Sequence, residues 1–294
     1  MKQLMQKLLR PGAFAFAATV ALTGLPAAVS AQEVVDEARA ALPQDMIDRG
    51  TLTVATNFNW PPFDYMSEEG TPTGIEVDLL RVIGAKLGLE VAFNDMKFPS
   101  IMPGVSSARF DVGMNQFNIT PERLETLDFL PYFESGYGLL VPKGGAEIDV
   151  NNLCGKTLVI TQGSHYITYI EQMSQACTEA GNSEVGMKVF KSAGETMLAL
   201  SNARGDGFIT ASAVGTYVAQ QNPGLDLSQG RIDGRQDLVG LMIRKGSTLD
   251  EAMLIALESA VEDGSYLAIL EKYGVAEGAI DLETMRSLSE AGES

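Results

Sequence analysis

From Thr51 onward the chain changes its hydrophobic period again and again, and that alternation limits the folds open to it. "TLTVATNF" (51–58) alternates and is rich in β-branched residues, so it reads as a strand, ended by the two prolines of "NWPPFDY". In "GIEVDLLRVIGAKLGLEVAF" (74–93), Ile75, Leu79, Val82, Ile83 and Leu87 recur at helical spacing; Gly88 is placed to end the helix and a strand follows. The pattern repeats through "DVGMNQF" (111–117), "YGLLVPKG" (137–144), "KTLVITQG" (156–163), "DGFITAS" (206–212) and "LVGLMIRKGS" (238–247), with helical stretches between them. Strands alternating with helices imply an α/β fold with largely parallel sheets. Two segments, 137–145 and 237–247, are apolar strands running into Lys-Gly, which fits either crossings between two domains or ordinary sheet strands.

The first residues are set apart from that fold. Lys2, Lys7 and Arg10 precede a short apolar run (13–25), and "AVSA" ends in small residues at Ala31. This is the layout of a secretory signal peptide over 1–31, cleaved after Ala31 into a periplasm. The remaining chain of about 260 residues fits one large or two medium domains. It carries 18 Lys and Arg against 38 Asp and Glu, a formal charge of −20, which argues against nucleic acid or anionic lipid as a partner. Two cysteines, Cys154 and Cys177, in an exported chain favour a disulfide over two free thiols. One His and two Cys give no credible zinc spacing, and no motif calls for a cofactor.

Against that acidic background, "NITPERLETLDF" (118–129) places an arginine where it is electrostatically awkward. Thr120 followed by Pro121 reads as an N-cap and first helical turn, which puts Arg123 at the positive end of the helix dipole, a cost of up to ~1 kcal/mol. Either Arg123 pairs on the surface with Glu122, Glu125 or Asp128, or it is held for an anion from outside.

"GIEVDLLRVIGAKL" (74–87) resembles, position by position, the signature of the family-3 bacterial solute-binding proteins, the polar amino-acid receptors of ABC importers. The resemblance extends through "TPERLETLDFLPYFESGYGLLV" (120–141), "NNLCGKTLVITQGS" (151–164), "ARGDGFIT" (203–210) and "DGSYLAILEKYGV" (263–275). It implies two α/β lobes of the type II periplasmic-binding-protein fold, joined by two hinge strands that close on a ligand. Lobe 1 would hold 46–141 and 241–280, lobe 2 142–240, and 281–294 an acidic, frayed tail.

The resemblance also implies site residues. Arg123 would grip the ligand's carboxylate, a pairing that its planar guanidinium suits. Trp60 and Phe98 would be pocket walls, although Trp60 could instead plug the core under its loop. Asn57 stands where relatives that bind cationic or amide side chains often have Asp. Asn115, Gln116 and Asn118 replace small or hydroxyl residues, with Asn118 near the carboxylate or ammonium and Gln116 narrowing the pocket. Ser164 would offer its hydroxyl, and its N–H and that of His165 would face the anion; the His165 side chain would be a loop or helix-start residue. Ala211 stands where the family usually places the Asp that binds the α-ammonium, so either Asn118, Thr210 and nearby carbonyls receive the ammonium or the ligand has no ordinary α-ammonium. The expected partners are a small carboxylate-bearing solute and an inner-membrane ABC permease, with the protein a monomer and not an enzyme. A cyclohexadienyl-dehydratase-like enzyme would need a general acid in lobe 2, where Thr161 and Thr210 stand instead, and a sensor module would need a separate signalling partner.

Overall fold

The computed structural model describes residues 33–145, 148–228, 232 and 236–291. The expected signal peptide lies outside them. Strand Thr51–Thr56 runs parallel to Glu90–Asp95 on one side and to Val112–Asn118 on the other. Helix Ile75–Leu87 links the first two and buries Ile75, Leu79, Leu80, Ile83 and Leu87. It stops at Gly88, left-handed at φ 68°, where a side chain would be strained. The loop after Thr56 and the end of Val112–Asn118 thus meet at the carboxyl edge of a parallel sheet, the edge at which α/β sheets form their crevice.

The connection to the second half is one continuous strand, Leu127–Pro142. Its first part pairs antiparallel with Gln236–Arg244, from Leu127 opposite Arg244 to Gly136 opposite Gln236. From Tyr137 onward it pairs instead with Phe208–Ala211 and, at its end, with Leu225–Leu227. The change of partner comes between Gly136 and Tyr137, ahead of the expected boundary at 141. Gln236–Arg244 pairs along its whole length with residues 127–136, so 236–240, expected in lobe 2, are joined by their hydrogen bonds to the first part of that strand. The strand character of 127–136 was hidden by Pro131, which sits where the register slips between Val239 and Gly240. At such an irregularity the missing N–H of proline is tolerated.

In the second half, Thr157–Thr161 runs parallel to Gly186–Phe190, and a bridge from Leu158 to Gly207 ties it to Phe208–Ala211. Helix Tyr166–Glu179 follows the first of these strands. Cys177 in its last turn is disulfide-bonded to Cys154, with Cα atoms 5.6 Å apart. Three helices, Leu249–Glu262, Ser265–Lys272 and Leu282–Ala291, return to the first half. The last of them corrects the expected frayed tail: Met285 is fully buried and Arg286 Nε donates to Glu258 Oε1 at 2.5 Å.

Candidate functional site

The awkward arginine is built as its local sequence implies. Thr120 is extended (φ −128°, ψ 153°), Pro121 opens the short helix Pro121–Leu124, and the Arg123 N–H donates to Thr120 Oγ1 at 3.4 Å. The side chain turns inward and is 8% exposed. Its Nη1 donates to the Asn118 carbonyl at 2.6 Å, and the guanidinium lies 5.2 Å from the centroid of the Phe117 ring. Phe98 stacks on the same ring at 5.2 Å and 9°. Among the described residues no carboxylate comes within 4.0 Å of this guanidinium. Asp128, one of the candidate surface partners, pairs with Lys245 at 3.5 Å instead. Burial pushes the Arg123 pKa down from 12.5 to about 10, with Asp237 the leading charge that opposes the shift. A buried cation without a close acid is expensive, and only hydrogen bonds or another charge offset that cost.

Arg123 borders a cavity of about 50 Å³ between the two halves. That exceeds the ~10–15 Å³ one water needs. Asn57, Trp60, Phe98, Asn115, Gln116 and Asn118 line it from the first half, and Ser164 and His165 from the second, so nearly all the expected site residues are brought together. Phe117, Thr161, Tyr166, Ala193 and Phe208 complete the wall. The halves touch around it: the Trp60 and Phe208 rings meet edge-on at 6.4 Å, and Phe98 faces Gly163 of the loop before Ser164.

The amides are oriented by acceptors behind them. Asn57 Nδ2 donates to the Met96 carbonyl at 2.8 Å. Asn115 Nδ2 donates both to the Asn57 carbonyl at 3.0 Å and to Asp64 Oδ2 at 2.7 Å. Asn118 Nδ2 donates to Asp237 Oδ2 at 3.0 Å. Backbone carbonyls accept only, which fixes the Asn57 and Asn115 amides against a flip, and the Asp237 carboxylate does the same for Asn118. Gln116 is left-handed (φ 51°). Its Oε1 accepts from Trp60 Nε1 at 2.7 Å and its Nε2 donates to Ser135 Oγ at 3.3 Å, so it holds the tryptophan in place on the wall. Trp60 thus lines the cavity while also packing against the hydrophobic core.

Three expectations for the second half need correction. The Ser164 N–H donates to the Thr161 carbonyl at 3.1 Å and closes the turn, so it does not face the cavity; the Ser164 hydroxyl accepts the Tyr166 N–H at 3.3 Å. Thr210 is fully buried in strand Phe208–Ala211 and is not on the cavity wall; its Oγ1 has no partner among the described residues. Ala211, the residue after it, is also fully buried. The His165 ring does more than start a helix. Its Nε2 lies 3.1 Å from Asp237 Oδ2 and 3.0 Å from the Tyr137 hydroxyl, which itself donates to the same carboxylate oxygen. With the Tyr137 proton committed to Asp237, His165 Nε2 carries the ring proton. Burial and the nearby Arg123 hold the His165 pKa below its usual value, although Asp237 opposes them.

Sequence reasoning missed three acids around this wall. Asp237 was hidden because 236–240 read as lobe 2. Asp64 and Glu76 lie in "NWPPFDY" and "GIEVDLL", but nothing in those stretches marks the two as fully buried neighbours. Asp64 Oδ2 accepts from Thr56 as well as Asn115. Glu76 accepts the Gln116 N–H at 2.9 and 3.0 Å and the Tyr132 hydroxyl at 2.9 Å. Burial, and for Asp64 also the charge of Glu76, raises both; Glu76 reaches about 7.

Residues 52–276 match the model of the bacterial extracellular solute-binding proteins, family 3. The arginine-binding protein ArgT of Corynebacterium glutamicum is 27% identical, over 84% of this chain and 82% of its own. The L-cystine-binding protein TcyJ of Escherichia coli is also 27% identical, over 86% of this chain and 92% of its own. Among solved structures, an ancestral arginine-binding protein bound to arginine superposes with a TM-score of 0.70 at 34% identity, covering 77% of this chain and 99% of that one.

Proposed function

The chain belongs to family 3 of the bacterial extracellular solute-binding proteins, and from that premise we propose that it is the periplasmic receptor of an ABC importer for a polar amino acid or an amino-acid-derived carboxylate. The observation that carries this reading is Arg123: a buried guanidinium at a cavity between two lobes, with no acid within 4.0 Å among the described residues. A ligand carboxylate would supply the missing charge through two parallel hydrogen bonds. The start of helix Tyr166–Glu179 reaches the same cavity through His165 and Tyr166, and helix N-termini favour anions.

Trp60 and Phe98 on one side, and Gly163, Ser164 and Phe208 on the other, would let the guest touch both lobes at once. Only such differential contact shifts an open–closed equilibrium toward closure. Transport needs no bond making. Export to an oxidising compartment accords with the Cys154–Cys177 bridge. The test is a thermal-shift screen of the common amino acids, their derivatives and small organic acids. At least one amino-acid-like carboxylate raises the melting temperature, with a shift that grows with the logarithm of its concentration. A screen in which only compounds lacking a carboxylate stabilise the protein overturns the reading.

A further inference from the structure

The cavity offers a place for a carboxylate, but none of the residues that line it is an acid that could meet an ammonium. The nearest acid by its effect on Arg123 is Asp237, on the return strand at the hinge, where it sits opposite Ser135. Asn118 joins the two charges. Its carbonyl accepts from Arg123 Nη1 at 2.6 Å, while its side-chain amide donates to Asp237 Oδ2 at 3.0 Å. A positive and a negative group thus stand at the two ends of one residue, with no ion pair between them.

Asp237 is prepared for this. Oδ2 receives Asn118, Tyr137 and His165, whereas Oδ1 accepts nothing from the described residues, and the side chain is 27% exposed. Those hydrogen bonds hold its pKa below the usual carboxylate value despite burial, so it is charged at neutral pH. The carboxylate is not itself on the cavity wall; Asn118 and His165 are, and both are bound to it. Because a carboxylate only accepts, Asn118 meets Asp237 through its Nδ2, and its Oδ1 is left as an acceptor. No described residue donates to that oxygen, and Asn118 is one of the residues that line the cavity. A hydrogen bond to a carboxylate also makes the amide oxygen a stronger acceptor.

Resting on the function proposed above, we propose that Asp237 takes over the charge balance of the guest's ammonium, acting through the acceptor oxygen of Asn118, so that the receptor selects zwitterionic amino acids over plain carboxylates. Asp237 is a positioning residue with a charge, not a direct contact. This role differs from a purely structural one because it predicts a loss that depends on the guest's amino group.

The probes are the common L-amino acids and, for each, the carboxylic acid lacking the α-amino group, read by calorimetry on the folded full-length mature protein. The wild type binds at least one amino acid ten-fold or more tighter than its des-amino partner. Asp237→Asn loses at least ten-fold on that amino acid and less than three-fold on the des-amino acid. Asn118→Leu, which keeps the branched shape and removes both the acceptor and the link to Asp237, gives the same selective loss and serves if Asp237→Asn does not fold. Equal binding of both probe series by the wild type, or an Asp237→Asn variant whose preference is unchanged, overturns this inference and leaves the receptor reading intact. Binding of neither series overturns both.

Discussion

Replacing Arg123 by methionine separates a ligand role from a structural one, because the first predicts little change in the empty protein and the second a large loss of stability. In the empty protein, holding this group charged at a pKa of about 10 instead of 12.5 costs about 3 kcal/mol. Against that stand its hydrogen bond to the Asn118 carbonyl and its place over Phe117, worth together about 2–4 kcal/mol. The terms nearly cancel, so Arg123→Met leaves the unliganded stability within about 1 kcal/mol of the wild type. For a chain of this size that is a shift of roughly 2–4 °C in melting temperature. Binding is another matter. Loss of a buried, paired charge contact to the ligand costs about 2–5 kcal/mol, a weakening of at least roughly 30-fold. The assay is differential scanning fluorimetry with and without a hit from the amino-acid screen, followed by calorimetry. An empty protein that loses more than about 10 °C, or a ligand shift that survives the substitution, refutes the reasoning.

Other consequences can be measured independently. Glu76 is raised by burial to about 7 in the folded chain and is ordinary when unfolded, so the native state binds the extra proton and stability falls as pH rises from about 4.5 to 7. Glu76→Gln flattens that part of the pH profile of urea unfolding, and parallel profiles for the two proteins contradict the assignment. Asp64 acts in the same direction, so the difference between the proteins, not the total slope, is the measure. Replacing Cys154 and Cys177 by serine reopens a loop of separation 23 and lowers stability by on the order of 3 kcal/mol, with ligand affinity unchanged; an affinity loss of ten-fold would place the bridge in the site. Trp60 is the only tryptophan and meets Phe208 across the cleft. Ligand-driven closure therefore changes its emission, and an unchanged spectrum at saturation would mean that the lobes do not move around it.

The parts of the fold with a local cause were legible in the sequence. The helix ending at Gly88, the Thr120–Pro121 cap and the placement of Arg123 each follow from a few adjacent residues. The strand 127–136 was not legible, because Pro131 and Gly136 look like breaks until the partner strand slips its register to accommodate the proline. That one non-local fact moved the hinge and, with it, Asp237. The site divides the same way. Residues that line the cavity were reached through the resemblance and the loops after strands. The acids behind the wall were not, since a carboxylate such as Asp64 becomes notable only when tertiary packing removes its water. Thr210 was misplaced because the period of a short buried strand does not say which face meets the cleft.

A crystal structure of the protein with a bound amino acid tests the central claim most directly. The carboxylate of the guest lies within hydrogen-bond distance of the Arg123 guanidinium, between closed lobes. A guest seated elsewhere, with Arg123 still bonded only to the Asn118 carbonyl, contradicts it.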